Sequence, residues 1–137
     1  EFARFPAYTL QVATLRPTLG LPGLPLVVVR AETREEIMAD KVVALAGRAY
    51  LKGRDVFDLW LLHEQGVQLD WNLVRLKCAD YRVFLDDLRR RARDLSPELV
   101  KRELERFLPQ RLRIQVLQEP GLSAMISCVE ALLESTV

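Results

Sequence analysis

The chain has 137 residues, of which 28% are charged and 50% are hydrophobic, and its 20 basic and 19 acidic side chains leave a formal net charge of +1. This length fits one domain with its own core, and the apolar content excludes intrinsic disorder. The nearly balanced charge argues against a dedicated DNA- or membrane-surface-binding protein, because such proteins rely on a large basic excess.

Two β-strands are predicted near the N-terminus. Residues 8–16 alternate between two faces and are rich in β-branched side chains, which is typical of a strand. Residues 17–25 contain three prolines and two glycines, which forbid regular structure, and residues 26–30 form a second strand. This second strand is apolar on both faces, so we expect other elements to cover both. Two strands alone are marginally stable, and we therefore expect further strands from another chain or from a part of the protein outside this sequence.

The next two predicted helices carry the most informative residues. Thr33 is a helix-capping residue with Glu36 three positions later, and the apolar residues that follow recur on one stripe to about Leu51. Glu36 and Asp40 are expected to face away from that stripe. The second helix covers residues 55–64 and is apolar nearly all round, which predicts that other elements surround it.

Helices are also predicted for the rest of the chain. Asp70 caps a helix that continues or restarts as far as Asp94. Ser96 begins another, which Pro109 ends, and a last helix covers about 122–134. The sequence therefore predicts an α+β fold that is mainly helical, in which a small N-terminal sheet of two strands is followed by five or six helices.

The whole chain, residues 1–137, is expected to form a single domain. It consists of the strands with the Pro/Gly-rich loop (1–32), the two helices that carry the motif (33–65) and a further helical part (66–137). The two cysteines are expected to be reduced, as in cytoplasmic proteins. No apolar run approaches the roughly 20 residues that span a bilayer, so we expect no membrane association.

The candidate site combines basic residues of the first motif helix with acidic residues of the second. Lys41 and Arg48 are seven residues apart and lie along one edge of the apolar stripe. Asp55 and Asp58 are neighbours on the next helix, among apolar residues. Because an unpaired buried charge is costly, these carboxylates need counter-charges or a metal, and the turn at Gly53 brings the basic residues towards them.

The residues alone leave two interpretations of this pattern open. The favoured one is structural: opposite charges form ion pairs that fix the angle between the helices, and Asp55 occupies a first turn, where the helix dipole favours an acid. The functional one is that Lys41 contacts the phosphates of a bound nucleotide, while Asp55 or Asp58 supports a divalent metal or orients the lysine.

The same residues resemble a known family. Residues 35–41 read E-E-I-M-A-D-K, Arg48 follows, and residues 54–60 read R-D-V-F-D-L-W. This pattern resembles the C-terminal motif of the AbiEii/AbiGii toxin family, the nucleotidyltransferase-like toxins of type IV toxin–antitoxin systems. The resemblance implies a polymerase-β-like nucleotidyltransferase lobe, a helical C-terminal lobe, and transfer of a nucleotide from an NTP, with Mg²⁺, typically to tRNA.

The resemblance also implies roles for individual residues. Lys41 corresponds to the family's phosphate-contacting lysine and Asp55 to its later acidic residue, with Asp58 completing the R-D-x-x-D element. Lys41, Asp55 and Asp58 are thus the candidate catalytic residues, and Lys41, Arg48 and Arg54 are the nucleotide-binding candidates. No residue is assigned as a metal ligand, although Asp55 is a candidate.

One part of the family pattern is missing from this sequence. Such transferases carry a Gly-Ser turn and a D-x-D carboxylate pair ahead of this region. Residues 2–25, by contrast, contain no Asp or Glu, and their only glycines are Gly20 and Gly23. We therefore expect this chain to be the C-terminal portion of such a toxin, a fragment or a degenerate relative, inactive alone and completed by a missing N-terminal lobe.

Two further expectations concern partners. A non-catalytic interaction module is the alternative function; it would bind an antitoxin protein or form a homodimer through its exposed strand. The cluster of Arg89, Arg90, Arg91 and Arg93 is expected to be a solvated helix face, offset by nearby acids. Contact of these arginines with the phosphate backbone of an RNA such as tRNA is the minor alternative.

Overall fold

The computed structural model describes residues 5–15 and 26–135. Within them the fold is α+β and mainly helical, because a two-stranded N-terminal sheet is followed by seven helices. The predicted fold class is confirmed, but the predicted number of helices is too low, since a further short helix forms directly after Pro109. The Pro/Gly-rich segment 17–25, for which no regular structure is expected, lies outside the described residues.

The two strands form one antiparallel pair. β1 spans Leu10–Leu15 and β2 spans Val27–Glu32. In their register the first residue of β1 lies opposite the last residue of β2, so all six residues of each strand are paired. Each strand consequently has one edge without a partner strand among residues 5–15 and 26–135.

The prediction that both faces of β2 are covered is wrong. Val28 of β2 is 65% exposed, and Val12, on the same face of β1, is 75% exposed. These side chains are uncovered because the described helices pack chiefly on one another and not on the sheet. The sheet therefore presents apolar surface to solvent.

The helical body comprises α1 (Arg34–Gly47), α2 (Gly53–Glu64), α3 (Trp71–Tyr81), α4 (Leu85–Arg93), α5 (Pro97–Glu105), α6 (Gln110–Val116) and α7 (Gly121–Glu134). α1 packs against α2, α3 and α4, whereas α2 also packs against α5 and α7. The core lies between these helices, and its fully buried residues include Met38, Val42 and Leu59. No single helix among the described residues has the length and apolar content needed to cross a membrane. The pair α6 and α7 meets these two criteria together, but the two helices are bent by 72° relative to each other.

Side-chain caps begin several of these helices. Thr33, Asp70 and Ser96 accept backbone N–H groups at the starts of α1, α3 and α5, as the sequence predicts. α1 ends at Gly47 and not near Leu51, because the next residue already has an extended backbone. The residues that follow form a loop between α1 and α2.

α2 is only partly surrounded by other elements, which corrects the prediction of burial all round. Val56 and Leu59 are fully buried, whereas Leu61 is exposed to solvent. At the start of this helix, a Cβ on Gly53 would lie 2.9 Å from the backbone oxygen of Val100. Glycine therefore allows the beginning of α2 to lie directly against α5.

Glu36 is fully buried, so the prediction that it faces away from the apolar stripe is wrong. Its carboxylate accepts from the backbone N–H of Tyr8 at 2.8 Å and from the N–H and hydroxyl of Thr9. Lys77 Nζ lies 2.8 Å from Glu36 Oε1 and 2.7 Å from Asp40 Oδ1. We call these five residues the hairpin anchor, because they attach the chain just before β1 to α1 and α3.

The anchor holds the Glu36 carboxylate in its charged form. Burial by itself raises the pKa of Glu36, but hydrogen bonds from Lys77, Thr9 and Tyr8 outweigh it and lower the pKa to about 2. The pKa of Lys77 is likewise raised, since its bonds to Asp40 and Glu36 outweigh the opposing effect of burial. The buried carboxylate of Glu36 is therefore paired with the Lys77 ammonium group.

Candidate functional site

The basic edge of α1 meets the acidic pair of α2. Lys41 Nζ lies 2.6 Å from Asp58 Oδ2 and 3.6 Å from Asp55 Oδ1. Arg48 Nη1 forms an ion pair with Asp55 Oδ2, and Arg54 Nε lies 4.0 Å from Asp58 Oδ2. The prediction that the turn between the helices brings these charges together is confirmed. We call the five residues the α1–α2 charge cluster.

The α1–α2 charge cluster lies at the boundary between core and solvent. The side chain of Asp55 is 2% exposed, whereas those of Lys41 and Asp58 are each 25% exposed. A cavity of about 310 Å³ lies elsewhere, between α5 and α6, and no residue of the cluster lines it. The cluster is thus an open charged surface with a buried carboxylate at its base.

Backbone contacts fix the chain on either side of the loop that joins the two helices. Arg91 Nη2 on α4 donates to the carbonyl oxygens of residues 48 and 49, at 2.8 and 3.1 Å. The N–H of Gly53 donates to Glu103 Oε2 at 2.5 Å. Asp55 follows in the first turn of α2, where the helix dipole stabilises its charge. The loop is therefore held against α4 and α5. In this position it makes the charged side chains of α1 face those of α2.

The charge cluster has one more cation than it has carboxylates. Lys41 carries three N–H donors and faces two carboxylates, so a donor remains for an anion. Arg54 is the most exposed cation, and its guanidinium also stacks 4.3 Å from the ring centroid of Phe107. A bound phosphate would therefore meet N–H groups that are already positioned by the protein.

The described residues do not by themselves form a divalent-metal site. Mg²⁺ takes six oxygen ligands in a regular arrangement, and in nucleotide sites these are one or two carboxylates, substrate phosphate oxygens and several waters. Among residues 5–15 and 26–135, no three His, Cys, Asp or Glu side chains form a group that could hold a metal ion. Both oxygens of Asp55, the metal candidate, face the cations Lys41 and Arg48. We assign no step to a metal in this part of the protein.

The arginines of α4 do not form one uniform surface. Arg89 pairs with Asp86 at 3.1 Å and Arg90 pairs with Asp87 at 2.5 Å, both on the exposed side of the helix. Arg93 is exposed as well. Arg91 instead turns inward to the loop carbonyls described above.

Sequence reasoning missed this inward role of Arg91. Its partners are backbone carbonyls 42 and 43 residues away in sequence, and no spacing rule identifies such a contact.

Comparison with known proteins identifies the family. A match to the family described as "Nucleotidyl transferase AbiEii toxin, Type IV TA system" covers residues 2–133, which is nearly the whole chain and includes the charge cluster. Searches for similar curated proteins and solved structures find no match to this chain. The chain therefore belongs to the AbiEii family of nucleotidyl transferase toxins of type IV toxin–antitoxin systems.

Proposed function

We propose that this chain contributes the phosphate-contacting side of a nucleotidyl transferase site, with Lys41 as the residue that binds the NTP phosphates. Family membership implies a nucleoside triphosphate, a divalent metal and an antitoxin counterpart in general terms. The observation that carries the proposal is the placement of Lys41, whose ammonium group lies between two carboxylates and yet reaches solvent.

The remaining residues of the cluster act on Lys41. Asp55 and Asp58 hold its ammonium group in place, and Arg48 neutralises the second oxygen of Asp55. Arg54, at the exposed edge, adds a further contact for the phosphates. Such positioned cations favour nucleotidyl transfer because they stabilise the charge that develops on the phosphate oxygens in the transition state.

The metal-holding carboxylates belong, in this proposal, to a lobe with a Gly-Ser turn and a D-x-D pair. The described residues supply no metal site, and the sequence of this chain has no such turn. We therefore propose that residues 1–137 alone do not transfer nucleotides. The acceptor would be an RNA such as tRNA, and an antitoxin protein would be the regulatory partner.

The test is transfer of a radiolabelled nucleotide from an NTP to tRNA, with the protein translated from its complete coding sequence. Lys41→Ala is expected to slow labelling by about 100-fold or more, the usual loss when one positioned donor is removed. Lys101→Ala is the matched control, because Lys101 is exposed and forms no ion pair within the described residues. Equal rates for the two variants would contradict the role of Lys41.

A non-catalytic interaction module is the second candidate, and the exposed sheet favours it. Val12 and Val28 present an apolar face, and β1 contains no charged residue that would discourage pairing with another strand. The chain would then bind an antitoxin or self-associate through this strand. Sedimentation velocity checks this: Val12→Lys is expected to abolish a dimer that the uncharged variant Gln11→Thr, on the opposite face of β1, retains. A monomer at all concentrations excludes self-association.

A further inference from the structure

The loop between α1 and α2, residues 48–52, is fixed along its length. Arg91 binds the carbonyl groups of its first two residues, as described above. Leu51 is buried in the core, and Lys52 leads directly into α2. A loop that is held in this way fixes the points from which its exposed side chains project.

The large exposed side chain of this loop is that of Tyr50, which is 65% exposed although Arg91 holds the backbone of residue 49 and Leu51 is buried. Lys52 Nζ lies 5.7 Å from the centroid of its ring, so a cation covers part of one face. Tyr50 follows Arg48 by two residues, and the side chain of Arg48 belongs to the α1–α2 charge cluster. An aromatic ring in water thus lies on the segment that connects the two halves of the cluster.

We infer that Tyr50 stacks against the nucleobase of the nucleotide whose phosphates Lys41 contacts. The inference rests on the proposed function and extends it from the phosphates to the base. Stacking on an aromatic side chain contributes to nucleotide affinity without hydrogen bonds to the base edge, and it accepts any base because every base has a π-face. Arg91 is the positioning residue of this contact, since it holds the carbonyls that precede Tyr50.

The test compares two probes that differ only in the presence of a nucleoside. Isothermal titration of the protein translated from its complete coding sequence would use Mg-ATP and, separately, magnesium tripolyphosphate. Tyr50→Ala is expected to weaken Mg-ATP binding roughly 5- to 150-fold, the contribution of one stacked base to affinity, and to leave tripolyphosphate binding unchanged. Tyr50→Phe should restore Mg-ATP binding, because the ring is retained.

The control variants separate the outcomes. Phe84→Ala removes another exposed aromatic side chain, at the start of α4, and is expected to bind both probes like the parent. Lys41→Ala should weaken the binding of both Mg-ATP and tripolyphosphate. If Tyr50→Ala binds Mg-ATP like Phe84→Ala, or weakens both probes equally, the stacking role is overturned while the role of Lys41 stands. If the parent binds neither probe, the proposed function fails and this inference fails with it.

Discussion

Two sets of ion pairs lie on α1, and they differ in their access to solvent. In the hairpin anchor, the side chains of Glu36 and Lys77 are almost completely buried. Glu36 accepts hydrogen bonds from Lys77 and from backbone N–H groups of the residues just before β1. In the α1–α2 charge cluster, only Asp55 is buried, and Lys41 reaches solvent. The helix therefore carries one closed set and one open set of charges.

This difference indicates which set is available for ligands. A buried charge with all partners in place stabilises one arrangement of the chain, and removing one partner leaves an uncompensated charge. A partly exposed cation such as Lys41 contributes less to stability, because water can replace its partner when the pair is broken. The closed set thus behaves as a structural element and the open set as a binding surface, and four measurements examine that division.

Lys77→Met is expected to produce the largest effect. The substitution leaves Glu36 buried without its cation, which costs about 3–5 kcal/mol of the free energy of unfolding. Urea denaturation followed by circular dichroism measures this loss, with Lys101→Met as the exposed control. A loss below about 1 kcal/mol would show that the anchor is not closed.

The titration of Glu36 in the hairpin anchor is expected to change the free energy of unfolding by almost as much. Folding lowers the pKa of Glu36 from 4.5 to about 2, so its carboxylate contributes about 3 kcal/mol of stability above pH 4.5. That contribution is lost as the pH falls from 4.5 towards 2. Glu36→Gln lacks this titration, so the difference in unfolding free energy between parent and variant should shrink across that window. A constant difference would contradict the lowered pKa.

Arg91→Ala is expected to have a smaller effect, about 1 kcal/mol. The variant loses two hydrogen bonds to loop carbonyls, but it also removes a buried Nε that has no hydrogen-bond partner among the described residues. Arg89→Ala, which loses only an exposed pair with Asp86, should change stability by less than about 0.5 kcal/mol. Hydrogen exchange of residues 48–52 should rise in the first variant alone.

The open set could be predicted from the sequence because its contacts are local. Lys41 and Arg48 are seven residues apart, about two helical turns, with Arg48 directly after the end of α1, and a short loop leads to Asp55 and Asp58. The caps of α1, α3 and α5 depend on adjacent residues and were equally predictable. Helical periodicity together with turn position is enough for such contacts.

The closed set could not be predicted, because its partners come from distant parts of the chain. Glu36 occupies a capping-box position, which suggests an exposed acid. In the structure, however, the residues just before β1 and Lys77 on α3 enclose its carboxylate. The exposure of Val28 also depends on what lies beside the sheet and not on the strand's own pattern. α6 was missed because Pro109 begins it without a side-chain cap.

Lys41→Ala is expected to have the smallest effect on stability, about 0.5 kcal/mol in the free energy of unfolding. Asp55 keeps its ion pair with Arg48, and Asp58 is exposed enough to be hydrated when the lysine is removed. The same variant is expected to lose nucleotide transfer, so a nearly normal urea midpoint would show that the loss is not unfolding. If Lys41→Ala destabilised the protein as much as Lys77→Met does, the charge cluster would be a second structural anchor, and the distinction between the two faces of α1 would disappear.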